Sequence, residues 1–315
     1  LRSLVGSLKT RIISLSEDRL TFLLEGVDTS FANALRRTML SEVPIMAIED
    51  IFYFDNTSLV PDEVLAHRIG LVPLKTDLED YLLPEDCDCE SELGCPKCRV
   101  ILTLDVEAGD DTITVYSGEM ESEDPEIVPA SDKIPLAKLA PGQSIRFEAY
   151  AQLGKGEEHS KWSPVSMAVY QNVSMVPISD MVSTEECIKQ CGDRVAEIVG
   201  DELKVINIIK FESCKLCRDL VSHEDIMGNL KDDEFFFTVE SNGALPPEKI
   251  LKHAVKILKE KLATLKDKIE KDELHDEIMD FGIPEFQEGT LYTVGSGEYD
   301  EEEGEEDFTE GDIEE

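Results

Sequence analysis

Basic residues are scarce in this 315-residue sequence: 30 Lys and Arg stand against 69 Asp and Glu, for a formal net charge of −39. A field of that sign repels phosphate backbones, so a free-standing nucleic-acid binder is disfavoured and any role at DNA needs a local basic patch or other chains to make the contacts. A salt-adapted, acid-rich proteome is the plainer source of the same imbalance. Long apolar runs are missing as well. No stretch approaches the roughly 18 uninterrupted apolar residues of a membrane-spanning helix, and the opening residues lack a basic start followed by an apolar signal core. The cytoplasm is therefore the expected compartment. No G-x4-G-K-[ST] run surrounds Gly154-Lys155-Gly156, which reads as a turn and not a phosphate cradle. His159, His223, His253 and His275 show no ligand spacing, and His67 sits in an amphipathic stretch that suits packing or an interface better than acid–base work. No nucleophile–base arrangement can be argued in a chain so rich in acids, so no catalytic residue is expected.

What is present suffices for a sizeable core: 41% of the residues are hydrophobic, enough for two or three compact units. The first reads as strand, helix, strand. Leu20 to Leu24 is apolar with β character, and Asp28, Thr29 and Ser30 offer N-cap oxygens for a helix starting at Phe31. Phe31, Ala34, Leu35 and Met39 share one face of it, Arg36 and Arg37 point away, and Pro44 stops it from passing Val43. A strand over Ile45 to Phe54 follows. From Asp55 to about Tyr170, short alternating runs such as Val100 to Val106, Thr112 to Tyr116 and Ile145 to Leu153 predict a β-rich unit. Around Ile178 to Leu230 the texture changes to a small cysteine-bearing insert, with a helix expected over Arg194 to Val199 and a strand over Leu203 to Ile209.

Phe235 to Glu240 reads as another strand, ended by the turn residues Asn242 and Gly243, and Pro246 and Pro247 open a long helix. That helix carries the strongest periodicity in the chain. Leu251, Val255, Leu258, Leu262, Leu265 and Ile269 follow alternating steps of four and three, a coiled-coil-like seam that calls for a partner helix. Beyond Phe281 the pattern is lost. Residues 295–315 hold twelve acids and no Lys or Arg, which predicts a disordered, solvated tail.

All eight cysteines fall into two groups of four. Without a secretory signal, grouping of this kind favours metals over disulfides. Cys87, Cys89, Cys95 and Cys98 form a compact knuckle bounded by the turn residues Gly94 and Pro96; four thiolates suit tetrahedral zinc, and a closed shell leaves no position for substrate, so the site is structural. Cys187, Cys191, Cys214 and Cys217 are more ambiguous. Cys214-x2-Cys217 begins an iron–sulfur run whose next position is Leu220, so an iron–sulfur cluster, a zinc ion and a relic site all stay open.

Two further stretches carry a resemblance. Phe31-Ala-Asn-Ala-Leu-Arg-Arg-Thr-Met-Leu-Ser-Glu-Val-Pro44 and Asp62-Glu-Val-Leu-Ala-His-Arg-Ile-Gly-Leu-Val-Pro-Leu74 resemble the α-like subunits of multisubunit RNA polymerase. Within that family they look most like the archaeal D branch, related to the third-largest subunit of eukaryotic RNA polymerase II. His159-Ser-Lys-Trp-Ser-Pro164 and Phe237-Thr-Val-Glu-Ser-Asn-Gly243 resemble further family segments, and the likeness covers roughly residues 10–275. The fold it implies is α+β: a discontinuous α-like dimerisation domain (1–50 and 231–280) with an inserted β-rich domain (51–176, zinc knuckle 87–98), a small ferredoxin-like insert (177–230) and an acidic tail (281–315).

The resemblance also implies partners. The helices from Phe31 and from Pro247 would pack against those of the smaller α-like subunit, L, and with the small subunits N and P the pair would form the platform for the large catalytic subunits. Arg36 and Arg37 become candidates for contacts to a large subunit. Contact with DNA would be indirect, through the complex, and none with membrane is expected. The knuckle resembles that of the eukaryotic subunit, with longer spacing between its second and third cysteines. The second group resembles the ferredoxin-like insert of some archaeal D subunits: Cys191, Cys214 and Cys217 match ligand positions, Cys187 is a substitute fourth ligand, and Leu220 replaces a cysteine. The expected function is a non-catalytic assembly scaffold for transcription. An iron–sulfur electron-transfer or redox-sensing protein is the alternative, and a zinc-dependent nucleic-acid binder, opposed by the acidity, the third reading.

Overall fold

The computed structural model describes residues 8–89, 91 and 94–271; the acidic stretch 281–315 lies outside them. The described residues begin with an antiparallel hairpin, β1 (Lys9–Leu15) and β2 (Arg19–Glu25), and enter helix α1 (Thr29–Ser41). Asp28 caps this helix by accepting the Phe31 N–H at 2.8 Å, a contact worth about 1 kcal/mol. β3 (Ile45–Asn56) and the short helix α2 (Asp62–Gly70) lead to the loop that holds the first cysteine group. Six strands follow: β4 (Arg99–Glu107), β5 (Ile113–Tyr116), β6 (Glu121–Ser122), β7 (Pro135–Leu139), β8 (Ser144–Gly154) and β9 (Val165–Pro177). The second cysteine group spreads over α3 (Met181–Cys191), the hairpin of β10 (Ala196–Val199) and β11 (Glu202–Val205), and the short helices α4 (Ile208–Ser213), α5 (Lys215–Leu220) and α6 (His223–Gly228). β12 (Leu230–Ser241) and α7 (Pro247–Glu270) close the described chain.

The strands make a six-stranded sheet in the order β1-β2-β12-β9-β11-β10, a four-stranded sheet β3-β8-β4-β6 and the pair β5-β7. In the first sheet β2, from near the start of the chain, pairs antiparallel with β12, from near its end, and Phe22 faces Phe237 in register. Those rings stack 4.9 Å apart and nearly parallel. Alternation sorts the faces: Leu20, Phe22, Leu24, Phe235, Phe237 and Val239 join Ala32, Leu35 and Met39 of α1 and Ile250 and Ala254 of α7 in one core. Leu23 and Phe236 point to the other face, against Val173 and Ile206. The four-stranded sheet packs with Leu65 and Ile69 of α2 in a second core, and the cysteine-bearing segment has a third, around Phe211.

The short resembling segments converge. Trp162 is buried over Gly154, where a Cβ would come within 2.4 Å of the indole, and Asn242 Nδ2 donates to the Ser163 carbonyl at 2.9 Å. Gly156 lies against the end of α1, so close that a Cβ would stand 2.3 Å from the Leu40 carbonyl oxygen. Gly154-Lys155-Gly156 is therefore a packed turn.

Two expectations for the insert need correction. Arg194 to Val199 is not helical: Ala196–Val199 is a strand paired with Glu202–Val205, which in turn pairs with β9, so sheet pairing overrides a locally helix-compatible stretch. The strand expected to run to Ile209 ends at Val205, because the Asn207 side chain accepts the Lys210 N–H at 3.1 Å and caps α4. Among the described residues no helix is long and apolar enough to cross a membrane.

Candidate metal centres and the outer stripe of the last helix

Cys87 and Cys89 follow a single 3-10 turn, Pro84–Asp86, while the Cys95–Cys98 turn runs directly into β4. The Cys95 carbonyl accepts the N–H groups of both Cys98 and Arg99 at 2.9 Å, which folds the second pair of thiols back on the first. All four sulfurs lie within 4.8 Å of one another. Cys87 and Cys95 are 3.7 Å apart, Cys89 and Cys98 3.6 Å, and Cys95 and Cys98 3.8 Å. A tetrahedron with zinc–sulfur bonds of about 2.3 Å has edges of about 3.8 Å, so these residues fit one zinc ion. The Lys97 backbone N–H holds the Cys95 thiol down to about 7, whereas burial pushes Cys98 up. Replacing Cys95 by Ser should remove bound zinc and lower the melting temperature of the full chain; metal analysis and thermal melting in parallel check this, and an unchanged zinc content contradicts it.

The second group is arranged differently. Cys187 on α3 and Cys217 on α5 are joined by a disulfide, and with Cys191 they make up a group of cysteines that could hold a metal ion. Two helices packed in one apolar cluster bring the Cα atoms to 5.3 Å, within the usual disulfide range. The Cys191 sulfur lies 2.9 Å from that of Cys217. Cys187, Cys191 and Cys217 form a group within 4.8 Å to which Cys214 does not belong. Burial, reinforced by Cys214, pushes the Cys191 thiol up to about 11. Leu220 packs half-buried against the same core. In this disulfide-bonded state the residues do not fit a four-thiolate centre, which would require the bond to be reduced.

The helix positions divide between inside and outside. On α1, Leu35 and Met39 are buried in the chain's own core, so their side chains are not at the surface. Phe31 and Arg36 are half-buried and Arg37 is exposed; Arg36 donates to Asn33 Oδ1 through Nε and Nη2. On α7, Pro247, Ile250 and Ala254 face the core. Leu251 and Leu258 are half-buried against it, and Lys261 reaches Glu42 at the end of α1 at 2.6 Å. The rest of the seam is open: Val255 is 50% exposed, Leu262 63%, Leu265 46% and Ile269 58%.

Two charged residues had no signal in the sequence pattern. Lys204 of β11 is buried and reaches Glu25 and Glu234, each at 2.5 Å. Burial pulls its ammonium down, but the hydrogen bonds it donates to Glu234 and Glu25 outweigh this and leave its pKa above the usual lysine value. Arg99 immediately follows the last knuckle cysteine and binds Asp50 of β3 at 2.6 Å. Only that adjacency could have drawn notice.

Over residues 21–262 the sequence matches the family described as RNA polymerase Rpb3/Rpb11 dimerisation domain. It is 39% identical over 251 residues to the DNA-directed RNA polymerase subunit Rpo3 of Methanosphaera stadtmanae, covering 78% of this chain and 92% of that one. Rpo3 of Archaeoglobus fulgidus is 36% identical over 260 residues, covering 82% and 97%. Rpo3 of Pyrococcus horikoshii is 34% identical over 255 residues, covering 80% and 94%.

Proposed function

This chain belongs to the RNA polymerase Rpb3/Rpb11 dimerisation-domain family, and on that premise we propose that it is a non-catalytic assembly subunit of a DNA-directed RNA polymerase, of the archaeal D type. The observation that carries the reading is the outer stripe of α7: Val255 and Leu262 are exposed on a helix whose Ile250 and Ala254 are fully buried. An apolar stripe left open on the flank of an already packed helix is a surface made for a second helix. Covering an exposed aliphatic side chain of this size contributes about 1.5–3 kcal/mol. These positions are about half covered already, so each contributes part of that when a partner helix closes over the stripe.

In this reading the partner helix comes from the smaller α-like subunit, L, and Phe31 of α1 borders the same interface. The dimerisation domain is discontinuous, with the β-rich and cysteine-bearing segments inserted between its halves; β2 and β12, adjacent in one sheet, support that division. The L heterodimer, joined by subunits N and P, then offers Arg37 and its surroundings to a large catalytic subunit in the cytoplasm. Phosphodiester chemistry belongs to the large subunits; this chain supplies position. Cys87, Cys89, Cys95 and Cys98 hold one zinc ion as a structural brace. An iron–sulfur cluster or zinc at Cys187, Cys191, Cys214 and Cys217 belongs to the reduced state of that group. The relatives named above are polymerase subunits, and none lends support to an electron-transfer role.

Reconstitution of polymerase from separately purified subunits tests the scaffold role. Leaving this chain out should prevent the large subunits from joining L, N and P, and adding it back should restore both assembly and RNA synthesis. Full assembly in its absence contradicts the proposal.

A further inference from the structure

The Arg99 side chain helps to fasten the knuckle to the four-stranded sheet. Arg99 opens β4 directly after Cys98, and its side chain is only 10% exposed. Its Nη2 meets Asp50 of β3 at 2.6 Å and its Nε donates to Gln152 of β8 at 3.2 Å, while the guanidinium lies 5.7 Å from the centre of the Tyr150 ring. Three fastenings thus tie it to two neighbouring strands. Nη1 is buried and has no hydrogen-bond acceptor among the described residues. On its other flank the stem runs beside the ligand cysteines. A Cβ at Gly94 would stand 2.7 Å from Arg99 Cδ and 3.2 Å from the Cys98 sulfur, and Gly94 itself has φ +79°. That conformation favours glycine, and the absence of a side chain there leaves the arginine stem and the ligand sulfur packed around the same backbone atom.

A zinc ion closed by four thiolates is a net negative centre, and a buried guanidinium that is fixed in place and always charged compensates such a centre without paying for its own reorganisation. We infer that Arg99 is the positioning residue and countercharge of the knuckle, holding the four thiolates against the sheet and raising their affinity for zinc. This rests on the reading of Cys87, Cys89, Cys95 and Cys98 as a zinc site.

The test is zinc affinity by competition with a chromophoric chelator on the full chain, with thermal melting in the presence and absence of zinc. Arg99→Met should weaken zinc binding about 10–100-fold and shrink the rise in melting temperature that zinc produces, with all four cysteines intact. Arg99→Lys, which keeps the charge, should recover most of that affinity. Where the Met variant does not accumulate, Arg99→Gln gives the same comparison with a neutral side chain. Unchanged affinity in the neutral variant overturns the inference, as does a Lys variant that recovers nothing. Wild-type chain that binds no zinc overturns the zinc reading instead, so the two failures are distinct.

Discussion

Replacing Val255 and Leu262 together by Asp is expected to abolish pairing with an L-type subunit while leaving the isolated chain as stable as before. Both side chains are at least half exposed, and both lie on a flank of α7, beside the face through which it joins its own core at Ile250 and Ala254. An exposed substitution away from core contacts usually changes stability by no more than about 0.5 kcal/mol. The cost falls on the complex, where each carboxylate would be buried against an apolar partner with no cation to meet it. With about 2 kcal/mol lost at each of two central positions, affinity should fall on the order of a thousandfold. Size-exclusion chromatography of the mixed chains, with thermal melts of the variant alone, gives both readings. The same change at Leu258 would be less informative, because that residue is half-buried against the chain's own core and its loss would mix folding with binding.

The second large effect is expected at Lys204. The β2–β12 register sets Glu25 directly opposite Glu234, a like-charge pairing that destabilises a sheet unless something answers it. Lys204 answers both, and beside it Arg11 of β1 makes a two-pronged bond to Glu197 of β10 at 2.8 and 2.9 Å. Lys204→Met keeps a stem of similar length and removes the charge. Leaving two facing carboxylates without their cation should cost about 3–5 kcal/mol, measured by denaturant unfolding near neutral pH; a loss below about 1 kcal/mol would contradict the account. Glu234→Gln in the same chain should return part of the loss. The pH dependence has a defined sign. The folded pKa of Lys204 is raised, so its contribution is complete below the unfolded lysine value of about 10.4 and is lost as pH rises through the folded one.

How far these features could be read in advance depended on the distance over which their causes act. The apolar, β-prone composition of Leu20 to Leu24 and Phe235 to Glu240 announces strands, and both are strands. That the two lie side by side is a long-range fact absent from either pattern, and it entered only through the family resemblance. The knuckle was legible as a cluster because its four cysteines are close in sequence, so chain geometry alone keeps the sulfurs together. The second group draws its thiols from α3, the start of α5 and the residue before it, and which sulfurs meet is decided by how those helices pack around Phe211. The seam on α7 was legible as periodicity. Its division into an inner face at Ile250 and Ala254 and an open one at Val255 and Leu262 was not, because every one of these residues is apolar. Nothing in the sequence pattern marks Lys204 or Arg99, because only the tertiary fold buries them.

The central claim is that this chain pairs with a smaller α-like subunit through the outer stripe of its last helix. Multi-angle light scattering of the full chain mixed with an L-type subunit tests it most directly. A single species with the summed mass of one copy of each is the predicted result, formed by the wild-type chain and absent for the Val255→Asp, Leu262→Asp variant. Two unmixed species for the wild-type chain, or an intact complex for the variant, would contradict it.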